Sequence, residues 1–396
     1  MSGRLRIALI ASNRFPIRQP FAGGLEAHVW HLARALAREG HHITLFAADG
    51  SDLGAGCATL SVRKLALSLA AQQDPSMPAE AFMADHHAYL TLMLQLSDPT
   101  HDGFDVIHNH SLHHLPVAMA PLLSTPMLTT VHTPPTPWLE SAVLATGGAG
   151  TRFAAVSRHT AAAWRHVLTD VIVVPNGVDD QHWSPGPGGD RLIWFGRLTP
   201  EKGADVAIAA ARAAGMALDI AGPVSDVAYF ADRIEPELDG QIRYLGHLEQ
   251  RALAQVVGAS GAALVTPMWD EPYGLVVAEA MSCGTPVVAF HRGGIQEIVG
   301  PLGGRLVAPG DADAMAAAVP AALALDRQLV HRHARARCSA AAMVGSYLDL
   351  YRAMIHNAAD GNHDRLLHSP PGPWTPESGD QHQSSSAPSG YRSDVA

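Results

Sequence analysis

The sequence predicts an α/β protein of two doubly wound, Rossmann-like domains, and three observations carry that expectation. The chain has 396 residues, more than one hydrophobic core normally organises. Short apolar runs alternate with alanine-rich stretches of helical period along most of its length, as parallel sheets covered by helices require. The two halves also begin alike, with a strand, a glycine-bearing loop and a helix that a glycine closes.

Residues 6–11, "RIALIA", form the first strand. A loop ends at Gly23-Gly24, a helix follows over about 26–39, and Gly40 caps it. Further strands are expected at "HITLFA", "DVIH", "MLTTV", "FAAVS" and "VIVVP". The stretch "PNGVDDQHWSPGPGGD" is rich in Pro, Gly and Asp and separates a first domain, 1–177, from a second, 178–345. The second half restarts with a strand at 192–195, the loop "GRLTPEKG" and a helix over about 204–214 closed by Gly215. Its remaining strands are "ALDIAG", "IRYLG", "AALVTP", "TPVVAF" and "GRLVAP". A helix over 346–357 is expected to pack back on the first domain. Residues 358–396, rich in Ser, Pro and Gly, have the composition of a disordered tail.

Bulk properties narrow the function. A net charge of -10 argues against a general nucleic-acid binder or a protein held to an anionic membrane by charge. Cys57, Cys283 and Cys338 are too few and too scattered for a disulfide framework, which suits a reducing cytoplasm. The run "IALIA" is too short for a signal peptide, and no segment approaches the ~20 apolar residues of a transmembrane helix. The "HNH" at 108–110 invites a zinc reading, but neither clustered cysteines nor a His/Glu helix motif supports one, so no metal is expected.

Two stretches carry chemistry. "FGRLTPEKGADV" places Arg197 and Lys202 between the carboxyl end of a strand and the start of a helix, where doubly wound sheets bind ligands. Two cations there can hold a diphosphate without a metal; two solvated surface charges are the alternative. The P-loop pattern is absent. In "WDEPYGLVVAEAMSCGTPV", seven residues separate Glu271 from Glu279. A helix over 274–283 would leave the N–H groups of Gly274, Leu275 and Val276 free at its first turn. Were the whole stretch helical, the carboxylates would be offset by ~12 Å and point ~80° apart. A retaining glycosidase pair stands ~5–5.5 Å apart. These two glutamates therefore suit different parts of one extended ligand rather than a single bond; a dipole-favoured Glu plus an exposed one is the plainer reading.

Taken together and in order, these motifs resemble the retaining glycosyltransferases of family four, which have the GT-B fold. "GGLEAHV", "DVIHNH", "TTVHTP", "AAVS" and "VVPNGVD" agree in the first half, and "GGIQEIV" and "GGRLVAPGD" follow the glutamates in the second. The match runs from residue 6 to about 355. The resemblance implies a nucleoside-diphosphate sugar, by family frequency a UDP-sugar, held by the second domain, and an acceptor held by the first. It implies that Arg197 and Lys202 neutralise the diphosphate in place of a metal, and that the amides of Gly274, Leu275 and Val276 receive sugar or phosphate oxygens. Glu279 would bind the ribose and Glu271 the transferred sugar. Gly24 would let its loop approach the diphosphate, and backbone near Gly246-His247 would line the base pocket. His132, after "MLTTV", would contact the donor sugar, with His28 and His110 on the acceptor side. The implied activity is metal-independent, retaining transfer to an acceptor hydroxyl, with no resident cofactor. The alternatives on this fold are an epimerase, a glycoside phosphorylase or a catalytically silent sugar-nucleotide-binding protein.

Overall fold

A computed structural model describes residues 3–54, 57–61, 67–74, 76, 79–100 and 103–359; the expected tail from 360 onward lies outside them. Seven strands form the first sheet: β1 (Arg6–Ile10), β2 (His42–Ala47), β3 (Cys57–Ser61), β4 (Val106–Asn109), β5 (Met127–Val131), β6 (Thr151–Ala155) and β7 (Val171–Val173). Six form the second: β8 (Leu192–Phe195), β9 (Leu218–Ala221), β10 (Ile242–Tyr244), β11 (Ala262–Val265), β12 (Val287–Phe290) and β13 (Gly304–Val307). The strand orders are β3-β2-β1-β4-β5-β6-β7 and β10-β9-β8-β11-β12-β13. Neighbouring strands pair in parallel throughout. Strand order reverses beside β1 in one sheet and beside β8 in the other, and the crevices that bind ligands open at the carboxyl ends of such positions.

The central strands are buried along their length, as sheets covered on both faces demand. The Gly24–Arg38 helix lays Val29, Leu32, Ala33 and Leu36 against Ile7, Leu9 and Leu45. It ends with His41 N–H on Leu36 O (3.2 Å) and Gly40 N–H on Ala37 O (3.0 Å), the paired bonds of a glycine-terminated helix. The Ala204–Ala213 helix ends the same way, through Met216 to Ala211 and Gly215 to Arg212, both 3.0 Å. This match is the structural counterpart of the two similar sequence openings.

The chain passes between the sheets twice, side by side. Val178 N–H donates to Cys338 O (2.8 Å), and Ala340 N–H donates to Val178 O (3.2 Å). A final helix, Ala340–Ala359, then returns to the first sheet, burying Met343, Val344, Tyr347, Tyr351 and Met354 in its core. It extends beyond the expected 346–357 at both ends. Among the described strands, β3 lies outside the expected set. As an edge strand β3 needs one partner only, and "CATLS" has no apolar run to betray it. Among the described residues no helix is long and apolar enough to cross a membrane.

Candidate active site

A cavity of about 320 Å³ lies between the two sheets, lined by Gly24 and His132 from the first domain and by Arg197, Lys202, His247, Glu271, Gly274, Leu275, Val276 and Glu279 from the second. Ten positions marked in the sequence thus converge, although they are drawn from loops more than 250 residues apart.

The loop after β8 is tied down from beneath. Trp194 Nε1 donates to Thr266 Oγ1 (3.0 Å), and the Thr266 hydroxyl donates to Gly203 O (2.7 Å). Gly203 has φ +70°, and a Cβ there would collide with the Thr266 carbonyl. Only glycine allows this tight turn from Lys202 into the Ala204–Ala213 helix. Gly203→Ala is therefore expected to cost about 2 kcal/mol or more, read as a lowered urea midpoint at unchanged m-value.

Lys202 does not point freely into the cleft. Its Nζ lies 2.6 Å from Glu271 Oε2, the same oxygen that accepts from Trp269 Nε1 (3.0 Å), and it sits 5.1 Å from the Trp269 ring centre. Arg197 is less committed, with Nη2 3.7 Å from Glu201 Oε1, beyond hydrogen-bond range.

The loop before the Leu275–Ser282 helix is fastened across the domains. Pro272 O accepts from Ser157 Oγ (2.5 Å) and Thr160 Oγ1 (3.1 Å), and Tyr273 OH donates to Asn176 O (2.6 Å). The Glu297 carboxylate accepts from the N–H groups of Arg158 and His159 at 3.0 and 2.7 Å, meeting the start of the Arg158–Ala163 helix. Gly274 begins the Leu275–Ser282 helix at φ +95°, and a Cβ there would press within 2.9 Å of Ile295 Cγ1. Val277 and Ala278 direct their N–H groups back to Gly274 O. The amides of Leu275 and Val276, ahead of them, are left for the cleft.

Glu279 lies one turn further along, only 8% exposed, and its carboxyl has no hydrogen-bond partner among the described residues. Burial raises its pKa to about 8. A buried acid without protein donors is disposed to accept hydroxyl hydrogens from a ligand.

Across the cleft, a Cβ on Gly24 would touch Leu275 Cδ2 at 3.7 Å, so the two domains approach closely here. Beside it Glu26 is buried, and burial raises its pKa against the opposing pull of its own backbone N–H, Arg197 and Arg14. Glu26 and Trp269 were not singled out from the sequence. The third residue of a helix reads as a dipole stabiliser, and the tryptophan as core.

Three expected positions lie elsewhere. Gly246 does not line the cavity; its carbonyl accepts from Gly222 N–H (2.9 Å), while the neighbouring His247 lines it and reaches Phe21 O at 3.0 Å. His28 and His110 are buried behind His132, their ring centres 5.0 and 5.2 Å from its own. Neither lines the cavity, so the two residues expected on the acceptor side stand one layer behind His132. Nδ1 and Nε2 of His28 are both buried without a partner among the described residues. These three rings stand close enough to share an ion. His110 Nδ1 and His132 Nε2 bond each other at 3.0 Å, a bond that an ion there would have to displace.

Two parallel-sheet domains closing on a cleft with cations, free helix amides and a buried carboxyl define the GT-B class of sugar-transferring enzymes. Residues 22–182 match the family model described as Glycosyltransferase Family 4, and residues 180–342 match Glycosyl transferases group 1. The chain belongs to family 4 of the glycosyltransferases. It is 29% identical over 374 residues to a glycogen synthase of Mycobacterium tuberculosis, covering 84% of this chain and 89% of that one. It is 25% identical over 342 residues to a D-inositol 3-phosphate glycosyltransferase of Pseudarthrobacter chlorophenolicus, covering 74% and 81%. Among solved structures it is similar to sucrose-phosphate synthase of Thermosynechococcus elongatus (TM-score 0.69, 22% identity, 89% and 100% coverage). It is also similar to Anabaena HepE, solved with UDP-glucose (TM-score 0.67, 16% identity, 88% and 100% coverage).

Proposed function

We propose that the chain moves a sugar from a UDP-sugar to an acceptor hydroxyl, with retention at the anomeric carbon and without a metal ion or other resident cofactor. The observation that carries this reading is the order of groups along one wall of the cavity. Lys202 and Glu271 are paired, the Leu275 and Val276 amides begin the following helix, and Glu279 lies a turn beyond them. That order suits a sugar, a diphosphate and a ribose in succession.

In this reading Arg197, Lys202 and the two amides take the charge that grows on the leaving phosphate oxygen, which is electrostatic catalysis. Glu271 exchanges part of its hold on Lys202 for sugar hydroxyls, while Trp269 Nε1 keeps the carboxylate in place. Glu279 accepts from the ribose hydroxyls. The leaving oxygen takes the acceptor's proton on the face it departs from, so bond breaking and bond making share one side of the sugar.

UDP release from UDP-glucose, followed with and without EDTA, tests the metal clause. The expected result is an unchanged rate at millimolar chelator; a rate abolished by EDTA and restored by magnesium or manganese contradicts it.

A further inference from the structure

His132 is the cleft end of a chain of hydrogen bonds that starts on the final helix. Tyr351, fully buried there, has its hydroxyl 2.6 Å from His108 Nδ1, its one hydrogen-bond partner among the described residues. A phenol has one hydrogen to donate, and protein interiors rarely leave such a donor unmatched. Tyr351 therefore donates, and His108 Nδ1 is a bare acceptor. Burial, the largest cause for each, holds the pKa values of His108, His110 and His132 well below the ordinary histidine value. Each ring is neutral and carries one N–H.

The remaining protons follow in sequence. His108 keeps its hydrogen on Nε2 and donates to Thr130 Oγ1 at 2.8 Å. His110 Nε2 lies 3.1 Å from the bare His108 Nδ1, whose single lone pair Tyr351 already engages; a second bare nitrogen there would set two lone pairs against each other, so the hydrogen between them belongs to His110, in a weaker, shared bond. That leaves His110 Nδ1 bare, and His132 Nε2, 3.0 Å away, donates to it. The reverse assignment uses the same distances but strands the Tyr351 hydrogen in the core. His132 Nδ1 is left without a hydrogen, and it bonds to none of the described residues.

We propose that Tyr351, acting through His108 and His110, fixes His132 as the Nε2–H tautomer, so that its Nδ1 offers the cleft a hydrogen-bond acceptor. Granting the transferase reading above, that acceptor takes a hydroxyl of the transferred sugar and rejects a phosphate or carboxylate oxygen. Tyr351, His108 and His110 are positioning residues in this arrangement. The helix that carries Tyr351 follows the second domain in sequence and packs on the first, so the cleft acquires its finished chemistry only when that helix docks.

The test is a long-range proton–nitrogen spectrum of the full chain with nitrogen-15 histidine, resonances assigned with His108→Gln, His110→Gln and His132→Gln. The wild type is expected to show all three rings protonated at Nε2 and bare at Nδ1 between pH 6.5 and 8. A wild-type His132 protonated at Nδ1 overturns the proposal, and this readout stands even if every variant fails to fold. Tyr351→Phe keeps the ring but not the donor. It is expected to give mixed tautomers at His108 and His132 and a roughly 10-fold lower kcat, the low end for outer partners of a functional histidine, with UDP affinity within twofold. Unmixed tautomers with full kcat in that variant also overturn it. Because the spectrum needs no substrate, a wrong tautomer leaves the transferase reading intact, whereas the expected tautomer in a chain that neither binds nor turns over UDP-sugars sinks only that reading.

Discussion

Lys202→Ala is expected to lower kcat/KM for a UDP-sugar by about 10²–10³-fold, the loss typical of removing one group that meets developing negative charge. The fall should appear in kcat as well as KM, because charge on the leaving oxygen is greatest in the transition state. Stability should change far less. The Lys202–Glu271 pair is partly solvated, with side chains 21% and 17% exposed, and such pairs contribute about 1 kcal/mol or less. Glu271 also retains the Trp269 N–H in the variant. Steady-state kinetics beside thermal melts separates the two effects: a large activity loss at nearly constant Tm is the expected pattern. Glu271→Gln should loosen Lys202 and alter sugar selectivity, and the double variant should lose less than the sum of the singles, since the two side chains share one bond. Full additivity would mean that they act independently.

Glu279→Gln is expected to push function and stability in opposite directions. If Glu279 takes the ribose as proposed, replacing its carboxylate should weaken UDP binding roughly 10- to 100-fold, as loss of a hydrogen bond to a charged group does. Its pKa is raised to about 8 in the folded chain, above that of an unfolded glutamate. The folded state therefore holds this proton more tightly than the unfolded state. The associated stability is fully present below about pH 4.5 and is lost as pH rises through 8. Complete titration corresponds to about 5 kcal/mol as an upper bound; with structural relaxation, a gain of ~1–2 kcal/mol for Glu279→Gln at pH 8 is the expected size. Melting curves of the ligand-free protein should show the variant's advantage growing from pH 5 to 8. UDP affinity of the wild type should tighten over the upper part of that range, as the accepting carboxylate becomes populated, and the variant should lack that slope. A variant less stable than wild type at pH 8 would contradict the assignment of a buried, unpartnered carboxyl.

The central strands were legible because they are buried on both faces and so read as apolar runs, such as "IALI" and "LIWF"; the edge strand β7 kept an apolar run of its own, "VIV". The strand β3 was not, since "CATLS" mixes small and polar residues and contains no apolar run. At the site, the loops around Arg197, Lys202, Glu271 and Glu279 were legible from their spacing and glycines. The bond between Lys202 and Glu271 was not, because 69 residues separate them and only the approach of two loops makes the pair. The same holds for His28 and His110. Sequence puts them in motifs that face the cleft, but a helix residue's direction depends on the helix's rotation, and this one turns His28 inward. Glu297 offers the converse case: part of a recognised motif, it fastens the domains through the Arg158 and His159 amides rather than meeting the cavity.

In the proposed mechanism, Arg197, Lys202 and the helix amides draw the leaving diphosphate away on the face where the acceptor enters. Proton NMR of the first turnovers with UDP-α-glucose reads that stereochemistry before the released sugar can mutarotate. An α-anomeric signal is expected in the product, whether the acceptor is a sugar hydroxyl or water. A β-anomeric signal would show attack from the opposite face and contradict it.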